Sequence, residues 1–185
     1  LNKKTELMDL NSGCSGFLDA LSLSYRLKKK ALIVCSENYS SHMKNRSQST
    51  FLLFSDAASA IFVNPGKFKI LYDEVQHQKN SFNLLCADKN GLFMNGPEVF
   101  FFTKKLVIPM LKKTLLKYPS IKYVFCHQAS LIVLNTLKSE FKNFKIEIPT
   151  NIKTRGNTVS SSIPILLKDT FPKIKGRNSS FIMLG

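Results

Sequence analysis

Tryptophan is absent, histidine occurs three times, and 12 acidic residues face 27 lysines and arginines. The four cysteines, at positions 14, 35, 86 and 126, form no CxxC pair and no cysteine–histidine cluster, so neither a zinc site nor any other metal site is expected. Free thiols fit a reducing compartment, which makes the cytoplasm the expected location. No apolar run approaches the length of a membrane helix, and the N-terminal residues lack the shape of a signal peptide, so no membrane association is expected. No arginine-rich block interleaved with aromatics is present either. The lysines are scattered, as at Lys28 to Lys30, Lys104-Lys105 and Lys112-Lys113, and nucleic acid is therefore not an expected partner.

What is present is a folded composition. The chain is 44% hydrophobic and 21% charged over 185 residues, enough for one substantial core or two halves of one. The formal net charge of +15 points to an acidic partner, or to solvated lysine spread over the exposed faces. The chain starts at Leu1 and stops at Gly185, straight after the apolar run Phe181 to Leu184. A chain that ends beside a buried-looking strand reads as a fragment of something longer.

The organising stretch is Asp9-Leu10-Asn11-Ser12-Gly13-Cys14-Ser15-Gly16-Phe17. Leu7 to Leu10 reads as a short strand, Ser12-Gly13 as a cap and tight turn, and Phe17, Leu21 and Tyr25 as one apolar helix face running to about Lys28. Cys14 then sits at the helix N-terminus, where unpaired N–H groups and the helix dipole favour a thiolate. Such a cysteine is either a nucleophile or a small packing residue.

Ala31 to Cys35 reads as a buried strand of a parallel sheet, and residues 37 to 50 as a polar loop holding His42, Lys44 and Arg46. Small residues 55 to 60 lead into a strand at Ile61-Phe62-Val63, and Asn64-Pro65-Gly66 is a turn. Phe68 to Val75 and Leu84 to Ala87 read as further strands. Asn95 caps a long helix with Pro97 in its first turn, and Pro109 predicts a kink within it. Phe100-Phe101-Phe102 reads as core packing. Ile121 to Cys126, Lys145 to Ile148 and Phe181 to Leu184 are strands, with helices over 131 to 141 and from Ser160 onward. Strands alternating with helices predict an α/β layered fold.

Cys14, His127 and Asn157 share one grammar, each at a junction between elements. In α/β sheets such junctions gather into one crevice at the carboxyl ends of the strands. A cysteine, a histidine and an asparagine in one crevice supply a nucleophile and two hydrogen-bond donors.

These residues also carry a resemblance. Asp9 to Phe17 (DLNSGCSGF), His127 to Ala129 (HQA) and Arg155 to Pro164 (RGNTVSSSIP) resemble the three signatures of β-ketoacyl-acyl-carrier-protein synthase III, a thiolase-like family. Phe54 to Ala60 (FSDAASA) resembles its FGDGAGA, and Asn95 to Phe100 its GxEVF helix start. The resemblance implies a thiolase-like fold, layered α-β-α-β-α, built from two similar halves and normally a homodimer. The N-terminal half would be incomplete here: residues 1–80 would hold what remains of it, with the nucleophilic Cys14, and residues 81–185 the C-terminal half, with His127 and Asn157. Past Leu184 the family continues into a glycine-rich turn that contributes to the oxyanion hole, with Gly185 as its first residue.

The implied chemistry is an acyltransferase reaction, a decarboxylative Claisen condensation through an acyl-Cys14 thioester. The implied substrates are acyl-coenzyme A and malonyl-acyl carrier protein, with no cofactor. The acidic carrier protein would account for part of the positive charge. Two features depart from the family pattern. Ser55, Ala58 and Ser59 stand where the family shows glycine or other small residues, and Ile132-Val133 occupies a region where several members carry a basic residue for coenzyme A. The alternatives are acyl transfer to a hydroxyl or amine without condensation, and a non-catalytic thiolase-like subunit.

Overall fold

The computed structural model describes residues 4–42, 52–89, 91–174 and 180–185. Gly13–Ser15 forms a single 3-10 turn that runs directly into helix α1, Gly16–Leu27. Its buried face is Phe17, Leu21 and Ser24, the spacing expected of an amphipathic helix. Lys28 closes α1 in the left-handed conformation, φ 53°, and its N–H reaches back to the Ser24 and Tyr25 carbonyls. Strand β1, Ala31–Glu37, follows and pairs with β2, Ala57–Val63, from Ala31 opposite Val63 to Glu37 opposite Ala57.

This pair is antiparallel, which corrects the expectation of a parallel, fully buried strand. Ile33 and Cys35 are buried, whereas Leu32 and Val34 between them are 60% and 62% exposed. Apolar residues on both faces signal that both faces favour burial, but only one is covered among the described residues. Leu7 to Leu10 is likewise not a strand. No partner among the described residues pairs with it, and Leu7 is 79% exposed. Ser55, Ala58 and Ser59 are not at positive φ, so replacing glycine there strains nothing. In the polar loop, Tyr39–His42 is a 3-10 turn, and the expected loop residues Lys44 and Arg46 lie outside the described residues.

Phe68 to Val75 runs as irregular chain rather than as a strand. It is fastened to α1, where the Asp73 carboxylate accepts from Ser22 Oγ at 2.5 Å and Arg26 Nη2 at 2.7 Å. A short antiparallel pair, β3 (Leu85–Asp88) with β4 (Gly91–Met94), precedes the long helical segment. β4 was not expected.

Asn95 Oδ1 accepts from Glu98 N at 3.3 Å to cap α2, Gly96–Phe102. A π-helical turn, Thr103–Val107, joins α2 to α3, Ile108–Lys117. Pro109 thus falls in the first turn of α3, and the continuous helical chain accommodates its missing N–H with the π-helical irregularity just before it. Phe100 to Phe102 are not core here: none is buried, and Phe101 is 57% exposed.

β5, Tyr123–Cys126, lies parallel to β6, Phe181–Leu184. Lys145 to Ile148 contributes only a single bridge, Glu147 to Tyr123. Ser130 Oγ caps α4, Leu131–Glu140, by accepting from Val133 N at 3.2 Å. The one-turn α5, Ile152–Arg155, ends at Gly156. The turn Val159–Ser161 then opens α6, Ser162–Thr170.

Two cores result. Leu111 and Leu115 of α3, Leu134 and Leu137 of α4, and Val124 and Cys126 of β5 form the larger one. Phe17 and Leu21 of α1 join Ile33, Cys35, Val63 and Ile163 of α6 in the other. α6 packs against both β2 and β5, so it and α1 form a middle layer between the β1–β2 and β5–β6 sheets, with α3 and α4 beyond β5–β6. The order is sheet, helices, sheet, helices, which is four layers of a thiolase-like α-β-α-β-α sandwich.

Candidate active site

The site lies where the Cys14 turn meets the Val159–Ser161 turn. Gly13 takes φ +51°, which lets the chain double back, and Ser15 N then bonds the Ser12 carbonyl at 3.2 Å. Ser12 therefore acts through its carbonyl. Its hydroxyl makes no cap bond. A Cβ on Gly16 would meet the Ser160 Cβ at 3.5 Å, so the two turns are in contact at the first residue of α1.

His127 follows the last residue of β5, and its backbone N–H donates to the Leu184 carbonyl at 2.7 Å, extending the ladder by one bond. The next residue, Gln128, is buried and fixes the loop. Its amide donates to the Cys126 carbonyl at 2.9 Å and accepts from Thr150 Oγ1 at 2.8 Å and Asn151 N at 3.1 Å. Asn157 is buried and doubly held. Its Nδ2 donates to the Ala129 carbonyl at 3.2 Å and its Oδ1 accepts from Val159 N at 3.0 Å. Its carbonyl accepts from Ser55 N at 2.8 Å, linking it to the segment before β2. An amide nitrogen has two donors, so one N–H of Asn157 is left for a ligand. The structure thus brings the elements that carry Cys14, His127 and Asn157 to one junction: Asn157 is bonded to Ala129, two residues beyond His127, and the turn that follows it packs on the Gly13–Ser15 turn.

Electrostatics differ from the expectation for Cys14. Its thiol is pushed up to about 11, chiefly by burial and then by the negative charge of Glu37, while a hydrogen bond at its own backbone pulls the other way. Burial overrides the helix terminus, and the resting group is a thiol, not a thiolate. Tyr39 is raised to about 12 by burial, then by Glu37 and Cys14. The His127 imidazole is driven down to about 4 by burial, against a hydrogen bond to the Val159 backbone. Its Nδ1 is buried without a partner among the described residues. At pH 7 the imidazole that meets the Val159 backbone is therefore neutral, and Cys14 is a thiol.

Sequence reasoning missed Glu37 and Ser160. Ser160 N donates to Glu37 Oε1 at 3.2 Å, and the Ser160 hydroxyl bonds the same oxygen. The available signal was alternation, since Ile33, Cys35 and Glu37 share one face of β1. Among the described residues no group of three or more His, Cys, Asp or Glu is placed to hold a metal ion. No helix among them is long and apolar enough to cross a membrane.

The β1–β2 and β5–β6 sheets on either side of a helix layer, with a cysteine at the start of one of its helices, define a thiolase-like α/β protein. Residues 8–78 match the family described as 3-oxoacyl-[acyl-carrier-protein] synthase III, and residues 111–184 match the C-terminal part of the same family. The chain belongs to the 3-oxoacyl-[acyl-carrier-protein] synthase III family. It is 28% identical over 188 residues to β-ketoacyl-[acyl-carrier-protein] synthase III of Aquifex aeolicus (strain VF5), covering 95% of this chain and 61% of that protein. It is 29% identical over 191 residues to the Streptococcus gordonii (strain Challis) enzyme of the same name, covering 90% of this chain and 59% of that protein. The crystal structure of a 3-oxoacyl-(acyl-carrier protein) synthase from Burkholderia xenovorans LB400 shares the fold, with a TM-score of 0.82 at 23% identity. That match covers 99% of this chain and 61% of the other. The chain spans about three-fifths of the length of the curated relatives it matches.

Proposed function

We propose that the protein is an acyltransferase that condenses an acyl thioester with malonyl-acyl carrier protein, with Cys14, His127 and Asn157 as its catalytic residues. One observation carries the reading: the Cys14 turn, the Asn157 amide and the His127 imidazole each meet the Val159–Ser161 turn. Cys14 Sγ attacks the carbonyl carbon of acyl-coenzyme A. The tetrahedral intermediate collapses, the carbon–sulfur bond to coenzyme A breaks, and the departing thiolate takes the proton that Cys14 gave up. The backbone N–H of Cys14 is one donor to the oxyanion.

In the second step the malonyl carboxylate leaves as carbon dioxide, and its bonding electrons form an enolate. The free N–H of Asn157 holds the enolate oxygen together with the ring N–H of His127, which exchanges its bond to the Val159 backbone for one to the substrate. A neutral His127 suits this role, because it donates without being consumed. The enolate carbon attacks the acyl carbonyl, and Cys14 leaves as a thiolate that takes up one proton from solvent.

Within this reading residues 1–80 carry the nucleophile and residues 81–185 the two donors. The working form is a cytoplasmic homodimer that needs no cofactor. The basic excess supports an acidic carrier protein as partner. Intact-mass spectrometry after incubation with a panel of acyl-coenzyme A and acyl-carrier thioesters tests the first step. A gain of one acyl group, absent in Cys14→Ala, is expected, and a folded protein that accepts no acyl group from any donor overturns the proposal.

A further inference from the structure

We propose that Glu37 is a positioning residue of this site: its carboxylate clamps the Val159–Ser161 turn and thereby holds His127 and Asn157 beside Cys14. The inference rests on the acyltransferase reading for its catalytic readout, but the clamp itself stands on geometry. Glu37 is the last residue of β1 and continues the inward face of Ile33 and Cys35. A carboxylate at such a place is costly unless donors meet it. Two donors do, the N–H and the hydroxyl of Ser160, both on one oxygen.

The turn it holds requires holding. Val159 is β-branched, 1% exposed and at φ +49°, a conformation such residues adopt only under constraint from their surroundings. That constraint has three parts. Asn157 Oδ1 accepts from Val159 N at 3.0 Å, Glu37 takes Ser160, and the Ser161 hydroxyl donates to the Cys35 carbonyl at 3.3 Å. β1 therefore grips the turn at two residues of the same strand face, 35 and 37. The Val159 backbone meets the His127 imidazole, and Asn157 is bonded to Val159 directly, so displacement of the turn moves both donors.

Glu37 is not an activator of the nucleophile. Its charge works against a thiolate at Cys14, so what it contributes there is placement. The other titratable groups around Cys14 are Tyr39 on the turn after β1, Asp19 of α1, which accepts from Ser15 Oγ at 3.4 Å, and His127 beyond the Val159 turn.

Three variants separate clamp from charge: Glu37→Ala, Glu37→Gln and Ser160→Ala, each checked for fold by near-UV circular dichroism. Glu37→Ala slows condensation with malonyl-acyl carrier protein by roughly ten- to hundredfold while slowing Cys14 acylation less. Glu37→Gln, which keeps an acceptor oxygen, recovers most of that loss. The same variant moves the pH midpoint of Cys14 alkylation by iodoacetamide down by roughly half a unit to one unit, because the charge is gone. Ser160→Ala slows condensation by about tenfold with no shift in the alkylation midpoint. Wild-type condensation in the alanine variant of Glu37, or a glutamine variant as slow as the alanine one, overturns the clamp. If the wild-type protein accepts no acyl group, the acyltransferase reading has failed by itself. The clamp is then read from amide hydrogen exchange: faster exchange at Ser160 N–H in Glu37→Ala than in Glu37→Gln supports it, and equal exchange overturns it.

Discussion

Mild acid should destabilise this protein through one buried ring. The His127 imidazole titrates near 4 because burial disfavours its charged form, and its Nδ1 has no acceptor among the described residues to receive a second proton's hydrogen bond. A histidine in the unfolded chain titrates near 6.5. Between those values the unfolded chain binds a proton that the native state refuses. The His127 contribution to stability is therefore complete above pH 6.5 and is lost as the pH falls towards 4. A difference of two to three pH units corresponds to about 3 kcal/mol. Asp56, Asp73 and Asp169 have pKa values lowered below 3.8 by their hydrogen bonds, so their contributions fade only under stronger acid. The assay is urea unfolding of the wild type and His127→Asn, followed by far-UV circular dichroism from about pH 7.5 to about pH 4. Asparagine hydrogen-bonds but does not titrate. The free energy of the wild type should fall relative to the variant by about 3 kcal/mol across that range. Parallel pH curves for the two proteins would refute the reasoning.

The raised Cys14 thiol leaves on the order of one molecule in ten thousand as thiolate at neutral pH, so iodoacetamide should label the exposed Cys86 first. Cys14 labelling should then climb roughly tenfold per pH unit towards pH 11, and equal labelling of the two at pH 7 would count against the burial argument. Gly156 lies at φ 70°, ψ −166°, and an added Cβ would stand 2.1 Å from Ser55 Oγ. Gly156→Ala should therefore lower stability by more than the roughly 1–2 kcal/mol of a left-handed alanine alone, and Gly13→Ala, with open space around its Cβ, by no more than that. Leu134, 1% exposed in the larger core, should cost about 2–5 kcal/mol as Leu134→Ala. Thermal unfolding reads all three substitutions.

The sequence carried the helices more faithfully than the sheets. α1 and α4 were legible because a cap or a small-residue turn opens each and apolar residues recur on one face, all of it local information. Strands depend on partners far away in the chain. Leu7 to Leu10 and Phe68 to Val75 have strand-like composition, yet neither finds a partner among the described residues, and the second is held by Asp73 to a helix instead. Direction was also beyond reach, since the run Ala31 to Cys35 reads the same whether its neighbour is parallel or antiparallel.

The site shows the same division. Cys14, His127 and Asn157 were legible as residue types at element ends, because a glycine turn or a strand terminus marks each position. Their charge states were not, because these depend on what packs around them. At Cys14 the helix terminus was visible in the sequence, whereas the burial that outweighs it comes from the whole surrounding fold. Glu37 stands at the end of a run that reads as a strand followed by a loop, and only its contact with Ser160, 123 residues further on, turns a strand-end carboxylate into part of the site. Alternation places Glu37 on the inward face of β1, but its role depends on a neighbour so distant in sequence that only the geometry of the turn it holds reveals it.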